Sequence, residues 1–274
     1  MEKQQFKGLL RILIRYERVY KNNNLRSVIQ TLSSFRSNTM DRRIKLFYLL
    51  FVLYTVKAQT DYCKLSCDGT VQTVCERKNV NCGADPQICK NFKEMKLNDA
   101  ERRLVLDVHN KLRNKVATGK ETRGPQPKAS NMKALSYSKE LEYIAQCHTN
   151  SCKWGHDKCR KTLQWGWVGQ NLFSRSYKGT TITTQYMLNS SIYGCGKEIG
   201  HYTQAVWART RYVGCGLTFY VDSKGWDVYY LACNYGEGGN INTWPVYEIG
   251  NPATKCDGLP VNSKYPGLCG PDNL

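Results

Sequence analysis

Cysteine is the residue type that could do the most chemistry in this 274-residue sequence. All thirteen cysteines lie downstream of residue 62, at positions 63, 67, 75, 82, 89, 147, 152, 159, 195, 215, 233, 256 and 269. This density predicts a disulfide framework formed in an oxidising compartment. Zinc binding by thiolates is the alternative, because Cys63 and Cys67 have a ligand-like spacing, although no paired Cys-x-x-Cys knuckles follow them. Since thirteen is an odd number, at least one thiol is free or pairs between chains.

Strand geometry predicts one of the disulfides. Residues 212–222 and 226–235 are rich in β-branched and aromatic side chains, which favours two strands. Residues 223–225 between them form a three-residue hairpin loop with glycine at its last position, where a positive φ is needed. Symmetric pairing outward from this loop sets Cys215 opposite Cys233, at a non-hydrogen-bonded pair where side chains approach most closely.

Two helices are predicted upstream of this hairpin. The first covers residues 97–119, where Asn98 or Asp99 can cap the N-terminus and Gly119 ends the helix. The second covers about residues 138–152. The apolar side chains of the first helix recur at helical spacing and form one stripe: Leu104, Val105, Val108, Leu112 and Val116. Helices followed by a late antiparallel hairpin predict an α+β sandwich.

The first 58 residues differ in composition from the rest of the chain. They contain no cysteine and carry half of the formal net charge of +18. Residues 40–58 combine a basic start, a short apolar run and a small last residue, which is the order of a secretory signal peptide. A signal anchor is the alternative, but the run is shorter than the roughly 20 residues that span a membrane. Because Met40 directly precedes this segment, residues 1–39 are interpreted as an upstream extension or disordered leader, with an Arg-rich transit peptide as the alternative.

The rest of the positive charge is spread along residues 59–274. No basic helix and no module of stacking aromatic residues accompanies it in the sequence, so nucleic acid is not an expected partner. Acidic cell surfaces or glycosaminoglycans could attract such a chain, with a strength that falls as salt rises.

Several motifs together carry a resemblance to a known family. The two signature-like stretches are GHYTQAVWART (200–210) and YLACNYGEGGN (230–240), and they are accompanied by SCKWGHDKCR (151–160), VGQNLF (168–173), ETRGPQPKASNMKAL (121–135) and HNKLR (109–113). This set resembles the CAP superfamily of cysteine-rich secretory proteins, antigen 5 and pathogenesis-related proteins, in the insect venom allergen antigen-5-like branch. The sequence departs from the usual pattern at Ala205 and Glu237.

The resemblance implies a domain division and a fold. Residues 59–98 form an N-terminal cysteine-rich segment, residues 99–249 the CAP (SCP) domain and residues 250–274 a Pro/Gly-rich tail. The implied fold is a three-layer α-β-α sandwich with a central, mostly antiparallel sheet, stapled by disulfides. The implied pairings are Cys63–Cys75, Cys67–Cys159, Cys82–Cys152 and Cys215–Cys233. Cys256–Cys269 is a further expected pair, and the partners of Cys89, Cys147 and Cys195 stay open.

The resemblance also implies a cleft in which two histidines and two glutamates hold a divalent metal. His156 and His201 match the two histidines, so they are the candidate metal ligands for zinc or copper. The glutamate positions carry Gln170 and, in a weak alignment, Asn189. Because charge compensation is lost with these amides, the interpretation of the histidines as hydrogen-bonded remnants of the cleft stands beside the metal site.

Asn189 begins the sequence Asn-Ser-Ser, which is a glycosylation sequon. A glycan on Asn189 would require an exposed side chain. Such exposure would contradict a position inside the cleft, so the two interpretations of this residue exclude each other.

No catalytic residue is predicted. Ser151 and Thr203 lie close in sequence to the cleft histidines, but no nucleophile elbow or protease signature accompanies them. His109 and His148 are interpreted as structural histidines. The expected function is that of a secreted, extracellular antigen-5-like venom or salivary protein and allergen that binds host proteins. The alternatives are an extracellular lipid or sterol carrier and, behind it, a metal-dependent or protease-like enzyme. No stable membrane insertion is expected after signal cleavage.

Overall fold

Five α-helices and five strands lie within the residues that the computed structural model describes, namely 60–179, 181–193 and 199–274. In chain order they are α1 (Thr73–Glu76), β1 (Lys90–Glu94), α2 (Asp99–Ala117), β2 (Ser136–Tyr137), α3 (Lys139–Thr149), β3 (Gly169–Tyr177), α4 (Thr184–Tyr193), α5 (Gly200–Ala205), β4 (Tyr212–Val221) and β5 (Asp227–Gly236). The predicted leader at 1–39, the predicted signal peptide at 40–58 and Cys195 lie outside the described residues.

Helix α2 begins at a capping box that the sequence supplies. The Asn98 side chain accepts from the Glu101 N–H at 3.0 Å, and the Glu101 carboxylate accepts from the Asn98 N–H at 2.9 Å. The helix ends at Ala117, and Gly119 has a φ of +72°, which only glycine adopts at little cost. The predicted helix at 97–119 is therefore confirmed apart from its terminal residues.

Strands β4 and β5 form the predicted hairpin in the predicted register. Cys215 pairs with Cys233, and the Asp222 N–H donates to the Trp226 carbonyl at 3.0 Å beside the loop. Gly225, the last loop residue, has a φ of +77°. The hairpin lies inside a five-stranded sheet with the order β1-β4-β5-β3, in which β2 adds a short parallel pairing to β4.

Helix α3 covers one face of this sheet at very close range. Added Cβ atoms at Gly214 and Gly216 would lie 2.3 Å from the backbone nitrogens of Glu142 and Gln146, so these two glycines make room for the helix. The Gln146 side chain also donates to the Leu217 carbonyl at 3.0 Å and accepts from the Leu217 N–H at 3.1 Å.

Helices α2 and α4 contribute to the apolar cluster on the opposite face of the sheet. This cluster joins residues of the two helices to alternate residues of β4 and β5: Val105, Leu106, Met187, Leu188, Val213, Cys215, Leu217, Leu231, Cys233 and Tyr235. The sheet thus lies between two helical layers, and the predicted three-layer α-β-α sandwich is confirmed.

The second predicted helix is shorter than expected. Ser138 is its N-cap, with its hydroxyl accepting from the Leu141 N–H at 3.2 Å, but α3 ends at Thr149 rather than near residue 152. The Asn150 side chain donates to the Cys82 carbonyl at 2.8 Å, and Cys152 has a φ of +54°. The residue that caps the end of α3 thus also contacts the N-terminal segment.

Six disulfides join twelve cysteines within the described residues. Four have the expected partners: Cys63–Cys75, Cys67–Cys159, Cys215–Cys233 and Cys256–Cys269. Two of the six tie the N-terminal segment to the end of α3, and β1 adds that segment to the sheet beside β4.

The expected Cys82–Cys152 pairing is wrong. Cys82 pairs with Cys147, with 4.6 Å between the Cα atoms, and Cys89 pairs with Cys152 at 5.7 Å. Cys147 lies in the last turns of α3 next to residue 82, whereas Cys152 lies after the helix end, beyond the turn that Asn150 makes. The two bridges therefore run side by side, each within normal disulfide reach.

The C-terminal tail packs on the outside of α2. The Tyr265 hydroxyl donates to Asp107 at 2.6 Å, and the Gly267 N–H donates to the Asn114 side chain at 2.8 Å. Leu268 and Cys269 are fully buried. The last disulfide therefore closes a tail that contributes to the core.

Candidate functional site

His156 lies in the loop before β3 and is held by Gln170, the second residue of that strand. Its Nδ1 lies 2.7 Å from Gln170 Oε1. The amide orientation is set from the far side, because Gln170 Nε2 donates to Asn234 Oδ1 at 3.0 Å and Asn234 Nδ2 donates to the Leu141 carbonyl at 3.4 Å. Since Gln170 Oε1 can only accept, the Nδ1–H of His156 donates this hydrogen bond.

His201 is the second residue of the short helix α5 and is partly exposed. Its backbone carbonyl accepts from Asn171 Nδ2 at 3.0 Å. Asn171 follows Gln170 on β3, and successive strand residues point to opposite faces of the sheet. One strand therefore contacts both predicted histidines, through the imidazole of His156 and through the main chain of His201.

The donor set of the described residues does not fit a zinc or copper ion. No group of three or more His, Cys, Asp or Glu side chains within residues 60–179, 181–193 and 199–274 is arranged to hold a metal. Gln170 contributes a neutral amide oxygen that already accepts from His156. Asn189 is exposed on α4, and its Oδ1 accepts from Gln185 at 3.0 Å. The amides at Gln170 and Asn189 also bring no negative charge, which carboxylates at these positions would supply to balance a divalent ion.

Arg113 organises the chain that follows α5. Its side chain is fully buried on α2 and donates five hydrogen bonds of 2.8–3.2 Å to main-chain carbonyls. The acceptors are the carbonyls of Lys133, Ala205, Trp207, Ala208 and Thr210. Burial lowers the pKa of the guanidinium to about 9. One acceptor is the last residue of the helix that carries His201 and three follow that helix, so Arg113 holds the chain where α5 ends.

A second buried network links α2 to the strands below His201. His109 Nδ1 lies 2.7 Å from the Val105 carbonyl and therefore donates, so Nε2 accepts from the Tyr235 hydroxyl at 2.9 Å. That hydroxyl accepts in turn from Asn171 Nδ2 at 3.2 Å. Burial lowers the pKa of His109 to about 4, so the ring is neutral at physiological pH. His109 therefore has a structural role.

Hydroxyl groups near the two histidines are engaged by partners other than imidazoles. The Thr203 hydroxyl donates to Asn240 Oδ1 at 2.7 Å, and Asn240 Nδ2 donates to the Gly200 carbonyl at 2.8 Å. The Ser151 hydroxyl accepts from the Lys153 N–H at 3.2 Å. This arrangement supplies no base beside a nucleophile, which covalent catalysis requires.

Three large apolar side chains are exposed within three residues of His156, Gln170 and His201 along the chain. Trp154 precedes His156, Trp167 precedes Gln170 and Ile199 precedes His201; their exposed fractions are 64 %, 55 % and 70 %. Trp167 is fixed by a hydrogen bond from its indole N–H to the Gly239 carbonyl at 3.1 Å. The sequence patterns did not single out these three side chains, which are of the type that forms contact surfaces.

No helix in the described part of the chain is both long enough and apolar enough to cross a bilayer.

Comparisons with known proteins agree with these features. A family model described as the cysteine-rich secretory protein family, CAP, matches residues 106–235. A venom allergen 3 homolog of Dinoponera quadriceps is 39 % identical over 213 residues, which are 69 % of this chain and 90 % of that protein. Venom allergen 5 of Vespa magnifica is 38 % identical over 230 residues, which are 75 % of this chain and 99 % of that protein.

Solved structures show the same architecture. The crystal structure of NaASP2 with Zn2+ is similar with a TM-score of 0.51 and 27 % identity, over 66 % of this chain and all of that chain. The structure of Na-ASP-1 is similar with a TM-score of 0.52 and 26 % identity, over 69 % of this chain and 52 % of that chain.

Proposed function

The chain belongs to the cysteine-rich secretory protein (CAP) family, and we propose that it is a secreted, venom-allergen-like protein that acts by binding rather than by catalysis. Its relatives in Dinoponera quadriceps and Vespa magnifica are venom allergens, and it covers 90 % and 99 % of their lengths. The proposed partners are extracellular proteins of a host.

The neutral hydrogen-bond chain at His156 carries this proposal. A histidine that acts as a general base needs a partner that stabilises the imidazolium, and a buried carboxylate is the common choice. Here the partner of His156 is the Gln170 amide, which is held in turn by Asn234. An amide fixes the tautomer of the imidazole but adds no negative charge. The site therefore supports recognition better than proton transfer.

The exposed apolar side chains beside the cleft support a protein partner. Tryptophan is enriched among the residues that carry most of the energy of protein interfaces. Trp154 packs against Tyr230 with 5.5 Å between the ring centroids, and Trp167 is held through its indole N–H. Both rings are thus positioned before any partner arrives, which lowers the entropy lost on binding.

The disulfides and the relatives support the proposed secretion. Six bridges within the described residues are typical of a protein that folds in an oxidising compartment. Sequencing the N-terminus of the native protein tests this part of the proposal. We expect the chain to begin at or just after Gln59, and an N-terminus that retains residues 40–58 would contradict it.

Binding is tested with immobilised protein and fractionated host plasma. We expect the Trp154→Ala/Trp167→Ala variant to lose affinity for the bound plasma protein by tenfold or more, since residues of this kind contribute about 2 kcal/mol or more each at interface centres. Trp226→Ala, which removes a similarly exposed tryptophan beside the hairpin loop, is the matched control and should bind normally. Unchanged binding by the double variant would contradict the proposed surface.

The groove between α2 and α4 offers less support for a lipid or sterol carrier. Its volume is about 260 Å³, which is below the roughly 300–1,000 Å³ of typical ligand pockets. Mass spectrometry of organic extracts of the natively secreted protein separates the two functions. A stoichiometric lipid in the extract would favour the carrier and contradict binding of host proteins as the main activity.

A further inference from the structure

The sequon residue Asn189 has the exposure that a glycan requires. It lies on α4 with its side chain at the surface, and its Oδ1 accepts from Gln185 Nε2 at 3.0 Å. Its Nδ2, the atom that carries a sugar in N-glycosylated proteins, donates no hydrogen bond within the described part of the chain. The side chain therefore holds its oxygen in place and leaves its nitrogen accessible.

The same side chain borders a groove between α2 and α4. Val108 and Leu112 contribute apolar surface to the groove, Lys111 and Lys115 line it from α2, and Gln185 lies beside Asn189 on α4. Leu112 is only 3 % exposed, whereas the Lys111 and Lys115 side chains are 69 % and 43 % exposed. Asp107 lines the groove as well and pairs with Lys111 at 2.5 Å, while Lys115 lies 3.4 Å from Glu121. The groove thus combines apolar surface with charged hydrogen-bonding groups, a combination that suits the apolar faces and hydroxyl groups of a pyranose.

We propose that Asn189 carries an N-linked glycan whose first sugar lies in the α2–α4 groove. In this modification the Nδ2 atom attacks the anomeric carbon of a lipid-linked oligosaccharide diphosphate. The new bond joins nitrogen to carbon, the sugar–oxygen bond to the diphosphate breaks, and the lipid diphosphate leaves while the amide proton passes to a base of the transferase. The secretory pathway supplies both the donor and the enzyme, so this inference rests on the proposed secretion of the chain.

The burial of Ser191 implies that glycosylation precedes the folding of α4. Ser191 is the third residue of the sequon, it is fully buried, and its hydroxyl donates to the Leu188 carbonyl at 2.8 Å. A transferase must reach the whole sequon, so transfer precedes the folding of α4. The finished fold then leaves only Asn189 at the surface.

The size of the groove favours a tethered sugar over a free ligand. A cavity of about 260 Å³ is smaller than the roughly 300–1,000 Å³ pockets that hold free small molecules. A covalent link removes this requirement, because a short tether gives an effective concentration in the millimolar range. Weak contacts with Leu112 and Lys115 are then sufficient to keep the first sugar in the groove.

The first experiment is intact-mass and peptide analysis of the chain secreted by insect cells when translation starts at Met40. We expect the peptide that contains Asn189 to carry the additional mass of an N-glycan. This mass should be absent from Asn189→Gln and present in the matched control Ser190→Ala, which preserves the sequon. Secreted protein without the glycan would overturn the inference while leaving the proposed function intact. Chain that stays in the cytosol would contradict secretion, and with it both proposals.

The second experiment tests where the sugar lies. Lysine acetylation, quantified by mass spectrometry, compares the glycosylated protein with Asn189→Gln. We expect several-fold slower labelling of Lys111 and Lys115 in the glycosylated protein, while the exposed Lys120 outside the groove is labelled equally in both. Equal labelling of all three lysines would overturn the placement of the sugar in the groove.

Discussion

The clearest test of the fold that surrounds the cleft is to remove the guanidinium of Arg113. Arg113→Met keeps an unbranched side chain of similar length but donates no hydrogen bond. Five main-chain carbonyls that now accept from Arg113 would lose that donor inside the protein. Four of them belong to residues 205–210, so the change acts on the chain that follows α5.

The expected loss of stability is large. A buried polar group left without its partner costs about 1–3 kcal/mol. Two of the five carbonyls keep a main-chain donor, because Trp207 also accepts from the Thr210 N–H and Ala208 from the Lys133 N–H, both at 3.1 Å. The other three are left without a partner, which even at the lower end gives a loss of about 3 kcal/mol, a large part of the total stability of about 5–15 kcal/mol of a typical protein. Arg113→Lys is the graded variant, since an ammonium offers three donors. With two donors fewer than the guanidinium, it should lose less than Arg113→Met, about 1–2 kcal/mol.

Denaturant unfolding of the oxidised proteins, followed by tryptophan fluorescence, measures both values. We expect Arg113→Met to be secreted poorly or to unfold at much lower denaturant than Arg113→Lys, which in turn unfolds below the unchanged protein. A loss below about 1 kcal/mol in Arg113→Met would contradict this role of Arg113, because the carbonyls of Lys133, Ala205 and Thr210 would then not depend on its side chain.

Three further predictions concern other parts of the structure. Burial lowers the pKa of His109 to about 4, so as the pH falls the unfolded chain binds a proton at this residue before the folded protein does. The free energy of unfolding should therefore fall by up to about 3 kcal/mol between pH 6.5 and pH 4. The melting temperature of His109→Gln, measured over the same range, should lack this pH-dependent decrease. Gly216→Ala places a Cβ 2.3 Å from backbone of α3 and should destabilise the protein by about 2–3 kcal/mol in denaturant unfolding, whereas a change below 0.5 kcal/mol would contradict the close packing. Non-reducing peptide mapping should recover Cys82 linked to Cys147, and a peptide linking Cys82 to another cysteine would contradict the described bridge.

The elements that the sequence predicts well are those set by local rules. The β4–β5 register follows from a three-residue loop with glycine at its end, so counting outward was enough to pair Cys215 with Cys233. The start of α2 follows from the capping box at Asn98. Both signals are local, since the hairpin loop is three residues long and the capping box joins Asn98 to Glu101, and such short segments leave few alternative geometries.

The features that the sequence did not reveal depend on contacts between distant segments. To predict the Cys82–Cys147 bridge, one must know which side of α3 faces the N-terminal segment and where α3 ends. The Asn150 side chain at that end donates to the carbonyl of Cys82, which is 68 residues away along the chain. The role of Arg113 depends on four carbonyls that lie 92–97 residues away along the chain, so the local sequence does not reveal it. Its position beside the buried apolar stripe of α2 is a signal that could have drawn attention to it. Strand β1 is short and polar, so its pattern alone does not indicate a strand.

Isothermal titration of the purified, metal-free protein with zinc tests most directly whether the site at His156 and His201 serves recognition rather than metal binding. We expect no saturable heat at micromolar zinc, and the same result for His156→Ala/His201→Ala, because His156 donates to an amide and the described residues hold no group of three or more side chains arranged for a metal. Stoichiometric micromolar binding that disappears in the double variant would contradict a recognition site and identify the two histidines as metal ligands.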